Sequence, residues 1–497
     1  MTKSKLLYIA LAAGTLTFSS CEKDFLDKTP SEKLTTQQVS TESLIKGLYA
    51  QMYQTETGGT TGHDDFGQKG YDIYMDLLSG DMALQRSVYG WYRTIANLTA
   101  PVNFTLNPNY APWRYYYSVI YSANSIIDKL GGTDVDVESI TEKVPYAQAK
   151  AMRANSYFYL ANLYSTEVYG TGAEKILPLY TNSSDVNKPK ATSKEVFDLI
   201  INDLTQAVDL LKGYNRSNKG EINEDVAKAM LAYAYASRGA QGDWQKVADL
   251  TKSVIDGGKY GLTTYLETTA QVDASGKVTN SVSGFNNLET KSWIWGADIQ
   301  TSTSLDLVSW WGQMDYYTYS YQAAGDYKGM DKGLYDQIKA TDVRKGQFNT
   351  NYLMPRNKFF DPARTQMGQR TITTDYLYLR LDELVLLNAE ANSKLGNTAI
   401  AVKSLNALLA ERFENASDYN YINNLSGQAL LDEIYFQTRV ELWGEGKSYL
   451  ALKRNKAKVT RGSNHLYLAG KSYNYNADEL TLDVPQAEIT NNPNLNK

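Results

Sequence analysis

Residues 379–409 read LRLDELVLLNAEANSKLGNTAIAVKSLNALL, and residues 226–255 read VAKAMLAYAYASRGAQGDWQKVADLTKSVI. Each is apolar at helical spacing, breaks at Gly396-Asn397 or Gly242-Asp243, and resumes through Ala401 or Ala248. Both patterns predict a helix, a tight turn and a second helix. Alanine at packing positions, an aromatic or Leu on the first helix, and Gly with Asp or Asn at the turn follow the tetratricopeptide pattern without its full consensus. Such pairs bury their faces only by stacking on neighbours, so several should form one curved scaffold.

Working outward, Ala147, Ala151, Ala154, Phe158 and Ala161 line one face of a helix whose small side chains admit a close neighbour. Thr192 with Glu195 forms a capping box ahead of Val196, Ile200, Leu204, Ala207 and Leu211, which starts the partner helix. Leu44, Ile45, Leu48 and Met52, and then Trp113, Tyr117, Ile120 and Ile127 up to Gly131-Gly132, give two more amphipathic helices. Between about 257 and 375 the helical period fades and Gly, Ser, Thr and Asn are frequent. Trp293, Trp295, Trp310, Trp311, Tyr316, Tyr317, Tyr319, Tyr321 and Tyr327 concentrate there, and Tyr317, Tyr319 and Tyr321 alternate as on one face of a strand.

Composition narrows the chemistry. The 497 residues are 42% hydrophobic and 21% charged, which excludes disorder as the main state, and a net charge of −5 gives no reason to expect nucleic acid. There are 39 Tyr, 12 Phe and 8 Trp against 2 His and 1 Cys, a balance that favours stacking surfaces over metal or acid/base chemistry. With only His63 and His465 there is no paired-histidine zinc motif, and no Cys cluster, GxSxG elbow or Walker-type loop is found. Gly444-Glu445-Gly446-Lys447 reads as part of a helical segment. The sequence therefore names no catalytic residue, metal or cofactor.

Lys3 and Lys5 precede an apolar run from Leu6 to Leu16, and Ser19-Ser20 stand directly before Cys21. This is the pattern of a bacterial secretory signal peptide over 1–20. A lone thiol in a secreted chain has no intramolecular partner, so Cys21 is expected to be lipidated. Residues 21–34 would then be a polar tether, and no later segment has the roughly 20 apolar residues a spanning helix needs.

For a ligand site, two adjacent tryptophans cannot both face inward on a strand, so at least one of Trp310 and Trp311 is expected in a cleft unless a helix or irregular loop buries both. Trp293, Tyr316 and Tyr317 join them, as does Trp91 in Tyr89-Gly90-Trp91-Tyr92-Arg93, with Arg93 close by. Flat sugar faces stack on such rings while carboxylates and guanidiniums satisfy hydroxyls. Asp64 and Asp65, in a Gly/Thr-rich loop beside His63, fit either a ligand contact or a plain turn, and Asp81 is a further acidic candidate. Asp134, Asp136 and Glu138 read as a solvated loop rather than a calcium site. Ring stacking alone implies binding nearly independent of salt.

Several segments carry a family resemblance. Cys21 is followed by Phe25-Leu26-Asp27 and Pro30. Lys150-Ala151-Met152-Arg153-Ala154 is followed by Tyr157-Phe158, Leu160, Leu163-Tyr164 and Leu177-Pro178-Leu179. Asp382-Glu383-Leu384-Val385-Leu386-Leu387 precedes Ala389-Glu390-Ala391, and Val484-Pro485, Glu488-Ile489 and Asn492-Pro493-Asn494 close the chain. In this order they resemble the SusD/RagB family of outer-membrane nutrient-binding lipoproteins of Bacteroidetes, nearly end to end. One signature is incomplete: Arg439, Glu441-Leu442, Glu445-Gly446, Leu452 and Arg454 match, but Ser448 and Ala451 stand where Arg and Asp are usual, which reads as one missing ion pair.

The resemblance implies a mainly α, SusD-like fold: four tetratricopeptide-like helix pairs as scaffold (about 35–256 and 376–460), plus an irregular, loop-rich half with short strands. Residues 21–497 would be a single domain, with ligand bound by about 257–375 and contributions from 55–112. The implied role is a lipid-anchored protein of the outer-membrane cell surface that binds an oligosaccharide and passes it to a SusC-like TonB-dependent transporter. A peptide cargo, or a lipid-anchored glycan hydrolase using two acidic residues, remain as alternatives.

Overall fold

The capping box forms as its sequence dictates. Thr192 Oγ1 accepts from the Glu195 N–H at 3.2 Å, and Glu195 Oε2 accepts from the Thr192 N–H at 2.7 Å, so two donors at the helix start are satisfied reciprocally. Helices built on such signals dominate the computed structural model, which describes residues 38–273, 278–280 and 283–495. The signal peptide, Cys21 and the tether expected at 1–34 lie outside the described residues. Thr41–Lys497 form one compact unit.

In chain order the main helices are α1 (Thr41–Ala50), α2 (Gln68–Ser79), α3 (Asn107–Lys129), α4 (Lys143–Leu163), α5 (Ser193–Leu210), α6 (Glu224–Arg238) and α7 (Asp243–Asp256). After the loop-rich segment come α8 (Leu381–Lys394), α9 (Thr398–Leu409), α10 (Gly427–Glu441) and α11 (Ser448–Arg454). Each helix from α3 to α7 packs on the next, and α7 then packs on α8 although residues 257–380 intervene. The scaffold is thus continuous and the loop-rich half is an insertion in it. Four pairs result: α1 with α3, α4 with α5, α6 with α7, and α8 with α9. Ala147, Ala151, Ala154 and Ala161 are fully buried on α4, where the lack of side chain beyond Cβ lets α3 and α5 close on it from two sides. Gly396, at φ 78°, takes the left-handed turn between α8 and α9 that a larger residue would resist.

Two strand pairings stitch the insertion to the scaffold. Trp293–Ala297 runs antiparallel to Tyr376–Arg380 just ahead of α8, and Lys328–Met330 runs antiparallel to Met82–Leu84 just after α2. The second pairing holds the 85–93 loop beside residues 316–327. Two local expectations change. Tyr317 and Tyr319 lie in irregular chain, and Tyr321 opens the short helix Tyr321–Ala324, so their alternation is not that of a strand. Gly444 and Gly446 have φ of 81° and 73°, which makes 444–447 a break between α10 and α11 rather than helix.

Beneath the junction lies a buried ionic cluster. The Glu441 carboxylate accepts from Arg380 Nη1 (2.8 Å), Arg412 Nε and Nη2 (both 2.8 Å) and Arg344 Nη1 (3.1 Å). Arg380 also binds Glu445 (2.9 Å), Arg412 binds Asp382 (2.5 Å), Arg344 binds Asp342 (2.6 Å) and Lys358 binds Glu445 (2.9 Å). Four cations thus face four carboxylates. Asp342, Arg344, Lys358 and Arg380 come from the 257–380 insertion, and Asp382, Arg412, Glu441 and Glu445 from α8, the chain after α9, α10 and the break that follows it, so the cluster ties the two halves together.

Candidate functional site

Residues 59–66, 85–93 and 316–327 converge on one surface. His63 and Trp91 stack with ring centroids 4.9 Å apart and planes 4° from parallel. Tyr321 meets both edge-on, at 5.6 Å from His63 and 6.0 Å from Trp91, and its hydroxyl hydrogen bonds His63 Nδ1. Tyr89, 58% exposed, packs edge-on against Tyr321 at 5.1 Å. The loop that presents Tyr89 and Trp91 depends on Gly90, at φ 89°, and on Asp326, whose carboxylate accepts from the Val88 and Tyr89 N–H groups.

The floor beneath these rings is polar. Gln313 Nε2 donates to the His63 carbonyl at 2.8 Å, and Lys328 Nζ donates to Gln313 Oε1 at 2.9 Å. Burial brings the Lys328 ammonium down to about 8 and raises the Asp64 carboxyl to about 6. Around this floor Ser87 Oγ and Asp326 Oδ2 are buried without a hydrogen-bond partner among the described residues.

Along the chain from Tyr321 back to Tyr316, three further tyrosines meet arginines. Tyr316 and Tyr317 pack edge-on at 5.8 Å, and both are half-buried. Arg356 lies 3.5 Å over the Tyr316 ring, Arg364 4.4 Å over Tyr317, and Arg370 4.1 Å over Tyr319. Gln366 Nε2 donates to the Tyr316 hydroxyl at 2.8 Å. Arg93 is exposed beside Trp91.

The structure therefore sets Trp91 in the ring cluster with Arg93 exposed two residues on and Asp64 next to His63, leaves Tyr316 and Tyr317 half-buried under arginines, and buries the other candidates. Trp310 and Trp311 occupy a short helix, Trp310–Met314, rather than a strand, and cross at 90° with both rings buried. Trp311 Nε1 is spent on the Thr374 carbonyl, and Trp310 packs on Phe359. Trp293 is fully buried and donates to the Gly284 carbonyl. Asp65 staples its own loop, accepting from the Gly58 and Thr60 N–H groups and the Tyr71 hydroxyl. Asp81 is buried against Arg439 at 2.5 Å. Sequence reasoning passed over Tyr89, His63 and Tyr321 as ligand residues, and the arginines at 356, 364 and 370 altogether. The signal available for the arginines was their recurrence in a polar, aperiodic stretch that follows a tyrosine run.

Among the described residues no group of three His, Cys, Asp or Glu could hold a metal ion, and no helix is long and apolar enough to cross a membrane.

Residues 24–239 match the family model described as starch-binding associating with outer membrane, and residues 277–497 match that of the SusD family. A SusD-like protein of Bacteroides ovatus is 27% identical over 238 residues, which is 48% of this chain and 40% of that protein. The chain thus spans less than half the length of that relative. A SusD-like protein of Formosa agariphila is 22% identical over 410 residues, 73% of this chain and 76% of that one. Among solved structures, a SusD-like carbohydrate-binding protein from Bacteroides vulgatus superposes with a TM-score of 0.72 at 22% identity, covering 92% of this chain and 96% of the other. Surface glycan-binding protein A of Bacteroides uniformis does so at 0.64 and 16% identity, covering 92% and 98%.

Proposed function

The chain belongs to the SusD family, and on that premise we propose that it is a lipid-anchored protein of the outer-membrane cell surface that binds an oligosaccharide and hands it, chemically unchanged, to a SusC-like TonB-dependent transporter. The observation that carries the binding half is the His63–Trp91–Tyr321–Tyr89 cluster. Its rings are fixed by one another and by the Asp326-pinned loop, so the surface is organised before a ligand arrives. A sugar laid on Tyr89 and the open part of Trp91 buries apolar ring area, with exposed Arg93 beside it for hydroxyls. Cys21 is the proposed attachment point, and several acyl chains there would hold the protein stably where one would not.

Delivery without chemistry fits the carboxyl groups at the site. Asp65 is committed to backbone N–H groups and the Tyr71 hydroxyl, and Asp326 Oδ1 to the Val88 and Tyr89 N–H groups. A hydrolase needs two opposed carboxyls.

Isothermal calorimetry against a panel of soluble polysaccharides tests binding, with product analysis for new reducing ends. Binding without turnover, lost in Trp91→Ala, is the expected result; turnover overturns the delivery reading. Detergent extraction and affinity purification from cells expressing the adjacent transporter should recover both chains, with an interface above roughly 2,000 Å². Recovery of this chain alone under those conditions refutes the transporter partnership.

A further inference from the structure

Most arginines bind a carboxylate or backbone carbonyls. Arg153, Arg238, Arg344, Arg380, Arg412, Arg439 and Arg454 each bind a carboxylate, and Arg216 and Arg461 donate to main-chain oxygens. Arg86, Arg93, Arg356, Arg364 and Arg370 have no carboxylate within 4.0 Å among the described residues, nor has exposed Arg114 on α3. Four of them instead lie over tyrosine rings: Arg356, Arg364 and Arg370 as above, and Arg86 at 5.4 Å over Tyr327. Arg364 spends Nη1 on the Arg356 carbonyl and Nη2 on the Tyr317 hydroxyl and Asn357, whereas Arg93 and Arg370 are exposed, and a guanidinium with open edge N–H groups can take a planar anion in two-pronged fashion.

Nearby carboxyls that could neutralise these charges are turned away from them. Asp315 accepts from the Tyr317 and Thr318 N–H groups, both at 2.9 Å, and from the Asp361 N–H. Asp326 Oδ1 accepts from the 88–89 backbone. Burial raises the Asp315 and Asp64 carboxyls to about 6, so both remain mostly ionised at pH 7 and lose their charge only as pH falls below about 6. The whole chain is net acidic at −5, so the positive character is local to this surface. Residues 316–321 extend over at most about 18 Å, a run suited to a short oligosaccharide.

Resting on the reading of this surface as the glycan site, we propose that its ligand is an anionic glycan, carrying uronate carboxylates or sulfate esters that the stacked arginines hold while the tyrosine and Trp91 rings take the sugar faces. Binding is then salt-dependent, contrary to what stacking alone implies, because exposed charge pairs weaken as the screening length shortens.

The test is calorimetry of the purified protein with polygalacturonate and its fully methyl-esterified form, with chondroitin sulfate and its desulfated form, and with poly-glutamate, at 50 and 300 mM NaCl. The two glycan pairs separate carboxylate from sulfate as the recognised anion. We expect at least one acidic polymer to bind, its neutralised form to bind tenfold or more weakly, and the higher salt to weaken binding several-fold. Arg93→Ala with Arg370→Ala, both exposed, should cost about tenfold at an unchanged thermal midpoint. The proposal is overturned if no acidic glycan binds at 50 mM NaCl, if neutral forms bind as well as charged ones at both salts, if the double arginine variant binds like wild type, or if poly-glutamate alone binds. Retained neutral-glycan binding that Trp91→Ala abolishes would leave the glycan site standing without its anionic ligand. Glycan binding indifferent to Trp91→Ala would instead remove the site itself.

Discussion

Glu441→Gln is the sharpest perturbation of the fold. The Glu441 carboxylate accepts four hydrogen bonds from three guanidiniums, at 2.8 to 3.1 Å, in a cluster whose members are at most 4% exposed at their side chains. Glutamine keeps one acceptor oxygen and turns an NH₂ group toward donors of Arg412 and Arg344 or Arg380. It also leaves the four buried cations facing three carboxylates. Removing one partner from a buried ionic cluster costs about 3–5 kcal/mol, because the remaining charge is neither solvated nor paired. In urea unfolding followed by tryptophan fluorescence, the midpoint should fall by that equivalent with the slope unchanged.

The same cluster sets the acid limit of the fold. Burial alone would raise the Glu445 carboxyl, but Arg380 and Lys358 outweigh it and hold it at about 2 against an ordinary 4.5. Glu441 is likewise held well below its ordinary value: burial opposes ionisation, and Arg412 and Arg380 overcome it. With folded values depressed, the stabilisation is complete above about pH 4.5 and is lost as pH falls toward 2; for Glu445 it amounts to about 3 kcal/mol. Acid titration of wild-type stability should show that loss, and Glu441→Gln should blunt it. A variant within about 1 kcal/mol of wild type, or stability that stays flat from pH 5 to pH 3, refutes the cluster as the clamp between scaffold and insertion.

Tyr89→Ala should weaken glycan binding about 5- to 30-fold at unchanged stability, since its exposed ring offers on the order of 100 Å² to a ligand; calorimetry with the identified ligand reads it. Trp310→Ala should instead destabilise the fold by about 3–5 kcal/mol in urea unfolding, as a buried ring does. Burial raises the Asp76 carboxyl well above its ordinary range, and its Oδ1 has no partner. Its folded form therefore keeps a proton that the unfolded chain releases, and stability falls as pH rises above the unfolded value of about 4. Asp76→Asn should remove that slope and be more stable near pH 8 by about 1–3 kcal/mol, read from thermal midpoints between pH 5 and 8. Cys21→Ala should leave the protein soluble or unprocessed in membrane fractionation; an equally firmly anchored variant would show another attachment.

The scaffold was legible because its signals are local. The Thr192–Glu195 box, the Gly242-Asp243 and Gly396-Asn397 breaks and the alanine face of α4 each act within a few residues, where helical periodicity and turn chemistry are decisive. What could not be read was which distant helix each pair would meet. That α7 packs on α8 across residues 257–380, with Arg344 and Lys358 reaching back to Glu441 and Glu445, depends on charges that sequence order keeps nearly a hundred residues apart. The absent Arg and Asp at 448 and 451 are legible only as a gap. Ser448 and Ala451 are both buried, and Ser448 Oγ has no partner. Two residues before Ser448, the Gly446 N–H is donated to Asp76.

The ligand surface was harder for a reason of numbers. With 39 Tyr, 12 Phe and 8 Trp, a core of this size absorbs most aromatics, and local concentration of rings does not distinguish core from surface. The discriminating feature is what each ring has for a neighbour. Trp293, Trp310 and Trp311 lie against Gly284, Phe359 and Thr374, groups that close over them. Tyr316, Tyr317 and Tyr319 lie under arginines with no carboxylate to hold them, and a guanidinium on an aromatic face near water stays solvated while it stacks. The arginines at 356, 364 and 370, rather than the tryptophans, are therefore the sequence signal that marks this surface, and they imply a ligand that brings its own negative charge.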